Sequence, residues 1–185
     1  MSGMKIGILV GSLRKAAWTR KIAEQLIALA PAGVTMQIID ISKLPFYNED
    51  EETATPPAAW TTFREEVQGV DGVIFVTPEY NRSVPGVLKN AIDVGSRPYG
   101  KSVWSGKPCA IVSSSVGAIG GFGANHHLRQ MLVTLNAPCL QSETYLSFVN
   151  KLFNDSGKFV EDKTTDFIRG FVQSSTAWMT KNAAS

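Results

Sequence analysis

The sequence predicts an α/β fold on a parallel sheet. Two observations carry that reading: near-continuous apolar runs that end abruptly in polar, Gly or Pro residues, and helix-period apolar patterns between them. Lys5 to Val10 and Gly72 to Thr77 show no polar alternation, as expected for strands covered on both faces. Between them Trp18, Ile22, Leu26 and Leu29 recur at helical spacing, Pro31-Ala32-Gly33 stops that helix, and Val34 to Ile39 reads as the next strand. Pro56-Pro57 opens a second helix with Trp60, Phe63 and Val67 on its apolar face. Val84 to Val94 forms a third, with Pro85 in its first turn, where a missing N–H is harmless. Pro108 to Ser113 is the fourth strand, and Leu128 to Leu135 lies on a fourth helix. A short fifth strand is expected near Cys139 and Leu140, and Phe167, Phe171 and Trp178 mark a closing helix.

Strands alternating with helices give right-handed crossovers and a three-layer αβα sandwich, and five strands favour the flavodoxin-like order 2-1-3-4-5 over a six-stranded Rossmann domain. Residues 1–185 read as one domain without linker or repeat, since 185 residues at 44% hydrophobic content suffice for a self-supporting core. A formal charge of +2 is too small to suggest nucleic acid or an anionic membrane as partner. The early apolar run is too short for a leader or a membrane span, so a cytoplasmic protein is expected. Cys109 and Cys139 form neither a CxxC pair nor a zinc pattern and read as small core hydrophobes. The acidic stretch Glu49 to Glu52 reads as a solvated loop.

Chemistry concentrates at three loops. Gly11-Ser12-Leu13-Arg14 to Lys21 lies where the first strand turns into the first helix, and there the helix amides, the Ser12 and Thr19 hydroxyls and Arg14 make a seat for a phosphate. Neither GxxxxGK[ST] nor GxGxxG is present, so a single terminal phosphate fits better than a triphosphate or a pyrophosphate. Asp40, at the end of the second strand, reads as a surface or capping residue. Thr77 to Pro85 follows the third strand, and the glycine-rich Ser113 to Gly123 follows the fourth. In a 2-1-3-4-5 sheet these three loops converge beside the topological switch point, where a flat ligand can meet Tyr80 and closely approaching backbone. His126 and His127 have no partner at metal-ligand spacing and read as helix-end surface or interface residues, so no metal site is expected. With no nucleophile elbow or paired acids, a bound cofactor is expected to carry the chemistry.

The chain resembles the NADPH-dependent FMN reductase family, in particular its bacterial chromate, quinone and azo-dye reductase branch. The matching segments are GSLR at Gly11 to Arg14, PEYN at Pro78 to Asn81, SVPGVLKNAID at Ser83 to Asp93, SSSVGAIGG, and HLRQ at His127 to Gln130. The resemblance spans about residues 4 to 140. It implies FMN, with its phosphate at Ser12, Arg14 and Thr19 and its ring between Pro78, Glu79, Tyr80 and Asn81 on one side and Ser115, Val116, Gly117 and Gly120 on the other. Ser83 and Trp18 complete the candidate set, although the i, i+4, i+8 pattern of Trp18 reads first as a core anchor. Where the family usually has a small residue, Ser, an aromatic and Asn, this chain has Ala16, Ala17, Trp18 and Thr19. Losing a hydroxyl and an amide there implies a cost of about 1 kcal/mol each in FMN binding. Val116-Gly117-Ala118 stands where a Pro-Gly is common.

The resemblance further implies NADPH or NADH as reductant, a ping-pong hydride mechanism, and small acceptors: quinones, azo dyes, ferric complexes, chromate and flavins. It also implies a homodimer or homotetramer with the third and fourth helices near the contacts. Arg82, Arg97, Tyr99 and Trp104 flank this edge, with solvent or interface as their ordinary reading. The alternatives are a flavodoxin-type electron carrier, disfavoured because such carriers dock through a strongly acidic rim, and a non-catalytic flavin sensor.

Overall fold

The computed structural model describes residues 3–183. Five parallel strands, β1 (Met4–Val10), β2 (Val34–Ile38), β3 (Gly72–Pro78), β4 (Cys109–Ser114) and β5 (Thr144–Leu146), lie in the order β2-β1-β3-β4-β5. The helices are α1 (Trp18–Ala28), α2 (Ala58–Gln68), α3 (Gly86–Gly95), α4 (Phe122–Thr134) and α5 (Asp162–Asn182). No helix among the described residues is long and apolar enough to cross a membrane.

Strand alternation divides the interior into two cores. Ile6, Ile8 and Val10 of β1 with Ile74 and Val76 of β3 pack on Ile22 and Leu26 of α1 and on Phe171 and Met179 of α5. Leu9, Val73 and Phe75 face the other way, onto Trp60 of α2, Leu88 of α3 and Leu128 of α4. Both faces of each central strand are therefore apolar, which is why these runs lack polar alternation. At Gly72 a Cβ would stand 2.5 Å from Met179 Sδ, so the glycine gives the Met179 side chain of α5 its place against the start of β3.

The register positions the site. Val10 pairs with Val76, Thr77 with Ser113 and Pro78 with Ser114, and the Gly11 N–H donates to the Val76 carbonyl at 2.8 Å. The chains leaving β1, β3 and β4 thus start side by side at one edge.

Several sequence expectations are corrected. The fifth strand is Thr144–Leu146, pairing with Val112–Ser114, and Cys139 makes only an isolated bridge to Cys109. The Pro138 carbonyl and the Leu140 N–H still bond Cys109, but Arg129 takes the Leu140 and Ser142 carbonyls, and pairing resumes at Thr144. Helix α4 starts at Phe122, six residues before Leu128, so the glycine-rich loop is shorter than expected and His126 and His127 lie inside the helix on its exposed face. Pro85 is the N-cap of α3 rather than a first-turn residue. Glu49–Glu51 forms a 3-10 turn, and Glu52 is no solvated charge: it forms a bidentate pair with Arg64 at 2.9 and 2.6 Å, both side chains about nine-tenths buried. Trp104 is fully buried and donates its indole N–H to the Ile92 carbonyl at 2.8 Å, which removes it from the ligand edge.

Candidate functional site

A cleft opens where the three loops meet. Ser12, Arg14, Ala17, Trp18 and Thr19 from the first loop face Pro78, Glu79 and Tyr80 from the second, and Ser115 and Val116 from the third. Gly11 permits the approach of the first two loops, since a Cβ there would stand 3.0 Å from the Pro78 ring and 3.3 Å from both Thr77 Oγ1 and Leu88.

The first wall is the start of α1. Ala17 is its N-cap and supplies no side-chain cap, there is no acidic residue in the first turn, and no acceptor among the described residues takes the Trp18 or Thr19 main-chain N–H. Thr19 Oγ1 is buried without a hydrogen-bond partner, although its residue lines the cleft. Two free amides, an orphaned hydroxyl, the positive end of a helix dipole and the nearby Arg14 form a donor set that lacks only an anion. A phosphate monoester fits it. Trp18 is the core anchor its spacing predicts, its indole stacking on Phe153 at 5.9 Å and 20° and packing against the core, and the residue also lines the cleft.

The second wall is a tight turn. Tyr80 and Ser83 exchange both main-chain hydrogen bonds at 2.9 Å, and the central residues Asn81 and Arg82 have φ of 51° and 66°. This is a type I′ arrangement, which Asn tolerates readily and Arg does not. Tyr80 is left about half exposed over the cleft. The Glu79 carboxylate turns away from the cleft mouth, accepting the Ala124 N–H at 3.2 Å and pairing with Arg82 at 3.4 Å. Ser83 Oγ lies 2.9 Å from His127 Nδ1.

The third wall is set by β4. Buried Ser113 donates its hydroxyl to the Gly120 carbonyl at 3.0 Å and accepts from Asn125 at 3.2 Å, which fixes the returning loop. The Gly117 N–H donates to Ser115 Oγ at 3.1 Å. Gly120, at φ 58°, has no room for a Cβ, which would meet Tyr145 Cβ at 2.7 Å. Asn81, Ser83, Gly117 and Gly120 shape the loops around the cleft without lining it. Ser114 and Val149 line it but were not foreseen; the Val149 N–H donates to the Ser115 carbonyl, and nothing local in the sequence marks that contact.

No group in the cleft is a thiol nucleophile. Burial pushes the Cys139 thiol up to about 11 and holds Cys109 well above its ordinary range, so both behave as the core residues expected. Asp40 is an exposed residue that closes a turn and caps no helix: its Oδ1 accepts the Ser42 N–H at 2.9 Å, and hydrogen bonds from Ser42 hold its carboxyl below the usual range.

Residues 4–151 match the family model described as NADPH-dependent FMN reductase. A quinone reductase of Pseudomonas putida is 56% identical over 180 residues, covering 97% of this chain and 96% of that protein. A 2-hydroxy-1,4-benzoquinone reductase of Burkholderia sp is 40% identical over 177 residues, 95% of this chain and 96% of that one. Among solved structures, the flavoenzyme NAD(P)H:(acceptor) oxidoreductase FerB from Paracoccus denitrificans superposes with a TM-score of 0.91 at 34% identity, covering 98% of this chain and 100% of that one.

Proposed function

The chain belongs to the NADPH-dependent FMN reductase family and is an NAD(P)H-dependent flavin oxidoreductase, and from that premise we propose that it reduces quinones with FMN held in the cleft between the β1, β3 and β4 loops. The single observation that carries the placement is the buried, unpartnered Thr19 hydroxyl at the uncapped start of α1. In this reading Thr19, the Trp18 and Thr19 amides, Ser12 and Arg14 hold the FMN phosphate. The Pro78–Asn81 backbone and Tyr80 bound the ring on one side, Ser115, Val116 and the backbone from Gly117 to Gly120 on the other. When bound, FMN supplies a two-electron relay between the nicotinamide and the acceptor.

The protein's share is positioning. Glu79 is committed to α4 and leaves the ring edge to main-chain donors, and Ser113 locks the β4 loop so that those donors are already in place. The exposed Tyr80 and Val116 leave one face of the cleft open, so nicotinamide and acceptor use it in turn, a ping-pong order. Azo dyes, ferric complexes, chromate and free flavins fit the same open face. The reading takes residues 1–185 as one cytoplasmic domain that assembles as a homodimer or homotetramer. The groove between α3 and α4, lined by Ile92, Met131 and Leu135 with Val133 exposed nearby, supports the assembly. A net charge of +2 speaks against a carrier that docks through an acidic rim.

Anaerobic NADPH should bleach the bound flavin in one two-electron step, and a benzoquinone should restore the colour without a second protein. Initial rates at several fixed quinone concentrations should give parallel double-reciprocal lines. A flavin inert to both NADPH and NADH, yet reducible to a stable semiquinone by a ferredoxin-type reductase, would replace the enzyme with the carrier.

A further inference from the structure

The carbonyls of the loop after β4 are drawn into the fold one after another. Ser115 accepts the Val149 N–H at 3.0 Å, Gly117 the Phe148 N–H at 3.2 Å, Ala118 the Ser147 hydroxyl at 2.6 Å and Gly120 the Ser113 hydroxyl at 3.0 Å. In a planar trans peptide the N–H points opposite to the C=O. Holding those carbonyls inward therefore turns the N–H groups of Val116, Ala118, Ile119 and Gly121 the other way, and none of the four has an acceptor among the described residues.

Two devices hold the loop in this sense. On one side stands the segment after β5. There Phe148 has φ 49°, a left-handed conformation that an aromatic residue rarely adopts, and its side chain is about half exposed, so burial of the ring does not explain the strain. What the conformation achieves is to lay its N–H on the Gly117 carbonyl. On the other side is a chain of hydrogen bonds with only one possible direction. Arg129 carries donors alone, so the Asn125 oxygen faces its Nε at 3.0 Å; the Asn125 amide N–H then faces Ser113 Oγ at 3.2 Å, and the Ser113 hydrogen is left for Gly120. Asn125 and Ser113 are fully buried, so water does not compete for these bonds.

We propose that Ser147 and Ser113 are positioning residues that keep this loop amide-outward, and that the loop thereby favours the reduced over the oxidised flavin ring. Two-electron reduction adds negative charge at the ring edge, and a run of unpaired main-chain N–H groups is a seat for negative charge. Neither serine lines the cleft, so each acts through the peptide it holds. The inference rests on the FMN placement above and adds control of the flavin's potential by side chains that do not touch it.

Ser147→Ala frees the Ala118 carbonyl, and the peptide between Ala118 and Ile119 can then turn an acceptor outward. Ala118 is exposed and Ser147 partly so, hence water satisfies the freed group and the fold is retained. The FMN-free variant should melt with the parent protein and bind oxidised FMN as tightly. It should bind reduced FMN about tenfold more weakly, the scale of one lost hydrogen bond to a charged group. For a two-electron couple that tenfold is a fall of about 30 mV in midpoint potential, read by anaerobic equilibration against a reference dye. Ser147→Thr keeps the hydroxyl and should restore the parent potential. Ser113→Ala, which releases the Gly120 carbonyl, should lower the potential in the same direction; it is a buried change, and if it does not fold the two Ser147 variants decide alone. An unchanged potential in Ser147→Ala, an equal fall in Ser147→Thr, or equal weakening of oxidised and reduced FMN would overturn the inference while leaving FMN in its cleft. A parent protein that takes up no FMN would instead overturn the placement itself.

Discussion

Glu79 reaches from the end of β3 to Ala124 in α4, its Oε2 accepting that residue's main-chain N–H at 3.2 Å. A carboxylate placed in the first turn of a helix meets both unsatisfied N–H groups and the positive end of the dipole. Gly123 makes the contact possible, because a Cβ there would stand 2.6 Å from the Arg82 carbonyl and 3.0 Å from Glu79 Oε2. Two of the three cleft walls are therefore braced by one side chain. Glu79→Ala should cost about 1–2 kcal/mol in urea denaturation, and Glu79→Gln, which retains an acceptor without the charge, about half of that. Equal stabilities for all three proteins would show that the brace contributes nothing.

The strand order and the meeting of three loops are legible in the sequence because the apolar runs of β1, β3 and β4 are long and end abruptly. Elements held by distant partners are not. The first turn of α4, Phe122-Gly123-Ala124-Asn125, has weak helix propensity and stands because Glu79 bonds Ala124 and because buried Asn125 donates to Ser113 and accepts from Arg129. Three residues, Thr144–Leu146, are too few to show a period, so the apolar pair Cys139-Leu140 draws the fifth strand away from its place. The orphaned state of Thr19 is a matter of burial, which no local pattern reports.

Glu52 pairs with Arg64, whose Nε also donates to the Val94 carbonyl at 2.9 Å, tying the acidic loop to α2 and to the end of α3. Removing one member of a buried pair strands the other charge. Glu52→Ala should cost about 3 kcal/mol, whereas Glu52→Ala with Arg64→Met should cost less than the single change, since no unpaired charge remains. Additive losses in denaturant midpoints would mean that the pair is not energetically coupled.

Cys139 gives a pH signature. Its folded thiol is pushed by burial from an ordinary 9.0 up to about 11, so the folded chain retains a proton that the unfolded chain releases. A raised pKa stabilises below the unfolded value and loses that contribution as pH rises through the window between the two, about 9 to 11. Between about pH 8 and pH 10 the native chain should lose roughly 1 kcal/mol more stability than the Cys139→Ala variant. Parallel stability curves for the two proteins would show that the thiol titrates normally.

Thr19 offers the sharpest separation of folding from binding. Its hydroxyl is buried with no partner, a state that costs stability unless a ligand completes it. Valine has nearly the same shape and no polar atom. Thr19→Val should therefore leave the FMN-free protein as stable as before or raise it by up to about 1 kcal/mol, while weakening FMN several-fold. Riboflavin, which lacks the phosphate, should bind both proteins alike. Arg14→Ala should act on the same group from outside, weakening FMN by about 1.5–3 kcal/mol and riboflavin hardly at all. Thermal denaturation of the stripped protein and paired titrations with FMN and riboflavin check both variants. The opposite signs matter most, because a residue that only supported α1 would lower stability and binding of both ligands together. A Thr19→Val protein that is less stable without ligand and equally impaired toward both flavins would move the phosphate away from the start of α1.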